Sequence, residues 1–180
     1  MCRRFINSYI KKRLFLAYKR QHRLVLITTL TDAKSVGILW NPSDPESIET
    51  YETLRKILSE KGIKSFGIAY ISSKREKDTL STISNSWLMN SGNVSFFGKP
   101  KSGEGIQFIQ QEFDILIDLS LQKSIALQYM LIHSSAKFKV GWRAEDPNLY
   151  DLEIDVTVNP HCRFLMEQII YYLEKLNENK

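Results

Sequence analysis

At 180 residues, with 43% apolar and 25% charged side chains, the chain has the size and balance of one globular domain with its own core, which excludes a wholly disordered polypeptide. The net charge of +5 is unevenly spread: residues 1–23 carry eight basic side chains and no acid, while residues 24–180 hold 17 basic against 20 acidic ones. A nucleic-acid reading therefore rests on the N-terminal arm alone, and nucleic acid is not the expected partner.

Two cysteines, Cys2 and Cys162, make no disulfide framework and no metal-ligand spacing, so no metal is expected and a reducing, cytoplasmic setting is the default. The chain has no G-x-G-x-x-G fingerprint, and no cofactor is expected. No apolar run approaches the ~20 residues of a membrane-spanning helix. "LVLITTL", 24–30, follows a long charged arm whose proportions do not suit a secretory signal, and Cys2 precedes any apolar run, so it is not placed as a lipoprotein anchor.

In chain order, residues 2–21 read as a helix, with Ile6, Ile10, Leu14 and Tyr18 four apart and lysines and arginines around the rest. Such a helix docks on the domain or lies on an anionic membrane surface. "SVGILWN", 35–41, is a strand. Asp44 or Ser43 is placed as the cap of the next helix and Pro45 in its first turn; Ile48, Tyr51, Leu54, Ile57 and Leu58 form its stripe, and Gly62 ends it. "KSFGIAYIS", 64–72, is a second strand, parallel to the first through a right-handed crossover.

Residues 73–105 are less regular: a short helix in 74–87, a short strand in "NVSFFG", 93–98, a loop, then a short helix in "EGIQFIQQ". "FDILIDLS", 113–120, is a strand. The following helix, about 122–134, is apolar nearly all round and must be covered on more than one side. "AKFKVGW", 136–142, is another strand. In "YDLEIDV", 150–156, Leu152, Ile154 and Val156 alternate with Asp151, Glu153 and Asp155, which reads as an edge strand with one wet face. Asn159 and Pro160 are placed at the start of the last helix.

The alternation predicts an α/β fold: a three-layer Rossmann-like sandwich, a mostly parallel sheet with helices on both faces, plus the basic N-terminal helix. The domain division is 1–23 for the arm and 24–180 for the body.

In such a sheet, ligands gather beyond the carboxyl ends of the strands. That rule nominates Asp118 and Ser120, with Lys123 and Ser124 at a helix start and Asn41 and Arg143 across the cleft. The opposing structural assignment has Ser120 capping the helix and Asp118 bonding loop N–H groups. "GKPKSGEG", 98–105, has the glycine spacing of a phosphate loop, but Glu104 and Gly105 stand where Lys and Ser or Thr are needed; Lys99, Lys101 and Ser102 are left as a weak anion loop. Asp151, Glu153 and Asp155 are spaced widely for one cation and read as a solvated strand face. His22, His133 and His161 form no catalytic set by spacing, and His161 and Cys162 diverge around a helix. No catalytic residue is assigned.

Taken together, "SVGILWN", "FFGKPKS", "FDILIDLS", "AKFKVGW" and "YDLEIDV" resemble a family of small bacterial α/β proteins, a domain of unknown function with a charged N-terminal helix. The resemblance implies a fold and no activity. Locally, "FDILIDLSLQKSIAL…AKFKVGW" is similar to the N-terminal domain of heptosyltransferase-like glycosyltransferases, matching at Asp118, Lys123, Ser124 and Gly141, though those enzymes bind the nucleotide sugar on a second domain. "VGILWNPSDPESIETYETLRKILSEKGI" is similar to a segment of periplasmic substrate-binding proteins. The expectation is a cytoplasmic, non-catalytic binding or interaction module, resting on the inner membrane or a protein through residues 1–23. The alternative is a transferase-like or nucleotide-sugar-binding domain with its site at the strand ends.

Overall fold

The computed structural model describes residues 2–19, 23–71, 80, 83, 85–101, 103–122, 124–142 and 149–176. Six strands run β1 Ser35–Trp40, β2 Lys64–Tyr70, β3 Ser86–Met89, β4 Ile115–Asp118, β5 Phe138–Trp142 and β6 Leu152–Ile154. All neighbours pair in parallel, in the order β3-β2-β1-β4-β5-β6. Five helices are described: α1 Cys2–Lys19, α2 Ser47–Glu60, α3 Gly103–Gln110, α4 Ile125–His133 and α5 Cys162–Lys175. This is the predicted Rossmann-like sandwich. β1 and β4 are central neighbours with Leu39 opposite Asp118, so their carboxyl ends share one rim. The chain leaves β1 towards one edge and returns at β4 towards the other, which makes this pair the topological switch point.

Period-two alternation on the strands divides the core. One face, with Val36, Ile38, Trp40, Ile115, Ile117 and Val140, takes Tyr51, Leu54 and Leu58 of α2 and Leu165, Ile169 and Leu173 of α5. The other, with Leu39, Ile68 and Leu116, takes Phe108 of α3 and Leu127, Met130 and Leu131 of α4. The all-round apolarity of α4 has a direct cause. Its outer side is covered by α1, through Ile10 and Leu14 against Ile132, with Ile125 and Tyr129 alongside. The arm's helix is thus a docked outer layer whose central apolar residues face the protein. Arg23 secures the exit from the arm: its guanidinium donates to both carboxylate oxygens of Asp151, at 2.6 and 2.7 Å, and to the carbonyls of Ala136 and Lys137.

Several sequence expectations need correction. Residues 93–98 are not a strand. Val94 and Pro100 form an isolated antiparallel bridge, closed by Ser95 N–H to Lys99 O and Lys101 N–H to Asn93 O, so 93–101 is a tight hairpin. The strand of this region is β3, an edge strand of four residues held by Trp40 Nε1–H to Ser86 Oγ and Tyr51 O–H to Asn85 O. The helix expected in 74–87 lies mostly outside the described residues, and its last two residues, Ser86 and Trp87, belong to β3. Helix α2 begins at Ser47 from Glu46, which has a φ of 58° and makes no side-chain cap bond, so Asp44 and Ser43 are not its cap and Pro45 precedes the helix. Helix α5 begins two residues beyond Pro160, at Cys162. At its edge of the sheet, β6 keeps only Leu152–Ile154 of the expected 150–156. Ile154 and, beyond the strand, Val156 are buried, and Leu152 is half-buried. The acidic side is not a plain solvated face, because the Asp151 carboxylate is held by Arg23 and Glu153 is half-buried.

Candidate functional site

Four nominated or neighbouring rim residues converge at the β1–β4 switch point: Asn41, Asp44, Asp118 and Ser120, all buried. Asp118 ends β4 opposite Gly141 of β5. A Cβ at Gly141 would collide with the ring of Tyr150, so the missing side chain makes the space in which that ring lies against the strand. From there the Tyr150 hydroxyl donates to Asp118 Oδ2 at 2.6 Å. Burial, and then the neighbouring Asp118 carboxylate, push the phenol pKa well above its ordinary value, so Tyr150 keeps the proton it donates. The other carboxylate oxygen accepts from the Ser120 N–H at 2.9 Å and from the Ser120 hydroxyl.

The loop after β1 is tied to the loop after β4. The Asp44 carboxylate accepts from Leu121 N–H at 2.8 Å and Gln122 N–H at 3.2 Å. Asn41 Nδ2 donates to Gln122 O at 3.2 Å, while its Oδ1 accepts from Ser43 N–H at 3.1 Å. Asp44 therefore closes the rim instead of capping α2. The α4 cap is Ser124, whose Oγ accepts from Leu127 N–H at 3.1 Å, and not Ser120. Lys123 and Arg143 lie outside the described residues. Cys162 is buried beneath this rim with its thiol on Leu119 O at 3.7 Å. Burial pushes its pKa up to about 12, with Asp44, Glu46 and Asp118 adding to the rise, so it carries no thiolate at neutral pH. His161 faces Glu46 at 3.8 Å on the surface.

A different place has open space and cations. Helix α1, helix α4 and the 93–101 hairpin line a half-open cavity of about 280 Å³, with Arg13, Ser95, Phe97, Lys99, Tyr129 and His133 in its wall. Ile10, Leu14 and Ala17 of α1 complete its wall. The Arg13 guanidinium lies over the Phe97 ring, 5.2 Å from its centroid, and the His133 ring stacks on Tyr129 at 3.9 Å. His133 Nδ1 is 3.0 Å from Tyr129 O; because a carbonyl only accepts, Nδ1 carries the proton and Nε2 is left as an acceptor in the neutral ring. Burial lowers the His133 pKa against the opposing effect of that bond, with repulsion from Lys139 and Lys99 lowering it further. No acid lines the cavity among the described residues.

Across the hairpin, a second hollow of about 280 Å³ is lined by Tyr70, Ser91, Ser95, Phe96, Gly98 and Ile125. Gly98, with φ 80°, lets the hairpin rest on the first turn of α4, where a Cβ would strike Ile125 O. Of the proposed anion loop, Lys99 reaches the α1 cavity. The described bonds of Lys101 are those of the hairpin backbone, and Ser102 lies outside the described residues. The structure thus gathers Asn41, Asp118 and Ser120 at one place and Lys99 at another. Arg13, Phe97, Tyr129 and His133 at the cavity and Tyr150 at the rim are not among the residues nominated from sequence. A glycine inside a strand, Gly141, was the available signal for Tyr150; for the others it was the excess apolar surface of α4, which called for a covering helix.

No helix among the described residues is long and apolar enough to cross a membrane. No curated protein and no solved structure matches the chain, and no similarity to heptosyltransferase-like glycosyltransferases is shown. The model of one family, described as "Family of unknown function (DUF6913)", matches residues 3–176, and the chain belongs to that family.

Proposed function

We propose, for a member of a family whose function is unknown, that this domain is a non-catalytic binding module whose recognition face is α1 with the 93–101 hairpin. The observation that carries this reading is the latch across the switch point. Asp44 holds the Leu121 and Gln122 N–H groups, which would otherwise be donors to a ligand bound there. Lys12, Arg13 and Lys19 are exposed on α1. Because Ile10 and Leu14 are occupied with α4, the arm meets an anionic membrane by charge, without inserting that stripe.

The test is co-sedimentation of the full chain with phosphatidylglycerol-containing vesicles. Binding is expected at low salt, with loss at high salt and in Lys12→Glu/Lys19→Glu. Binding that ignores both salt and these substitutions contradicts the charge contact.

A second reading keeps the strand ends as a nucleotide-sugar site using Asp118, Ser120, Lys123, Ser124, Asn41 and Arg143. It is favoured by the position of Asp118 at the switch point and by Trp142 Nε1, a buried donor at the end of β5 without a hydrogen-bond partner among the described residues. A thermal shift with nucleoside diphosphates or nucleotide sugars that disappears in Asp118→Asn selects this reading over the first.

A further inference from the structure

The α1 cavity brings together two basic stretches that are 86 residues apart in sequence, through Arg13 and Lys99. Neither side chain has an ion-pair partner among the described residues. Like charges gathered around a hollow with no acid repel one another, and a bound anion removes that repulsion. Apart from Ser95 and His133, the rest of the wall is apolar or aromatic: Phe97 and Tyr129 offer ring faces, and Ile10, Leu14 and Ala17 offer aliphatic surface. Such a lining is mismatched to a bare inorganic ion. It fits a molecule with one charged end and a flat apolar body. At about 280 Å³ the cavity has room for a single-ring acid.

We propose that this cavity binds a small organic anion, its carboxylate or phosphate held between Arg13 and Lys99 and its flat body packed on Phe97 and Tyr129. The proposal rests on the recognition face assigned above and names the chemistry of its ligand. Arginine suits the charged end because its planar fork takes two oxygens at once, and the Phe97 ring beneath it fixes the plane of that fork. The neutral His133, with Nε2 as acceptor, adds a place for a ligand hydroxyl. The ligand touches α1, α4 and the hairpin together, so its binding also fastens the arm to the domain.

Isothermal titration of the full chain with benzoate and with phenyl phosphate tests this, with benzyl alcohol as the neutral analogue and inorganic phosphate as the bodiless one. The expected result is binding of at least one aromatic anion, at least tenfold tighter than both controls. A loss of at least tenfold is expected in Arg13→Ala and in Lys99→Ala. Arg13→Lys should restore less than half of the binding energy lost in Arg13→Ala. Comparable binding of benzyl alcohol, comparable binding of inorganic phosphate, or unchanged binding in Arg13→Ala/Lys99→Ala overturns the proposal, as does the absence of heat with both aromatic anions. Vesicle binding through Lys12 and Lys19 is read separately, so loss of the small-anion site with retained vesicle binding defeats this inference alone. A nucleotide shift that depends on Asp118 defeats the module reading itself.

Discussion

The switch-point rim and the α1 cavity are both rich in polar side chains, yet they are built in opposite ways. At the rim, Asp44, Asp118, Asn41 and Ser120 are buried and bonded to the chain itself. At the cavity, Arg13 and Lys99 are exposed at the edge of open space, without ion pairs among the described residues. Buried polar groups are costly unless satisfied, so the rim network is a condition of folding. Exposed cations cost little to keep unpaired and are free to meet a partner. A location favoured by fold-level rules does not by itself identify a working site.

Substitutions separate the two regions by stability. Gly141→Ala is expected to act most strongly, because its Cβ displaces the Tyr150 ring and removes the Asp118 bond. Overpacking together with an orphaned buried group costs about 3 kcal/mol, which at ~3 °C per kcal/mol for a domain of this size lowers Tm by about 9 °C. Asp44→Ala leaves two loop N–H groups without their acceptor and is expected to cost about 2 kcal/mol, a Tm loss of about 6 °C. Arg13→Ala and Lys99→Ala should change stability by less than ~0.5 kcal/mol. If thermal melts showed the cavity variants as damaging as the rim variants, the two regions would not differ as described.

A buried cation offers a finer comparison. Lys139, on β5, donates through Nζ to the carbonyls of Leu131 and Ile132 at the end of α4, at 2.7 and 3.2 Å. Burial lowers its pKa from 10.5 to about 7, with Arg23 adding repulsion and Asp151 opposing it. Its folded-state pKa lies below the unfolded one, so the unfolded chain binds this proton more strongly, and folding stability rises as pH goes from about 7 towards 10.5. In Lys139→Met that rise is absent. Urea melts at pH 7 and pH 9.5 should show wild type gaining on the variant; parallel behaviour of the two would mean that Lys139 is not held in the buried position.

Much of the framework was legible because it depends on local periodicity. The stripe of α2 between two short apolar runs marked a crossover, and the alternation of 150–156 marked an edge. The apolar outer side of α4 required a cover, which α1 supplies. The edge strand β3 was hidden because four half-buried residues carry little pattern, and its anchors, Trp40 and Tyr51, are distant in sequence. Asp44 was misread for a similar reason: a carboxylate just before a helix suits a cap, but its acceptors are better used by Leu121 and Gln122 across the rim. The convergence of Arg13 with Lys99 has no local signature, since helix docking and a hairpin bring them together.

Hydrogen exchange at the Leu121 and Gln122 amides of the full chain tests most directly whether the rim is shut by its own bonds. The latch predicts slow exchange at both, approaching that of the β4 core, and acceleration of these two amides in Asp44→Ala before the rest of the sheet opens. Exchange at the rate of an open loop in the wild-type chain, unaltered by Asp44→Ala, would contradict it and return the strand ends to consideration as the binding site.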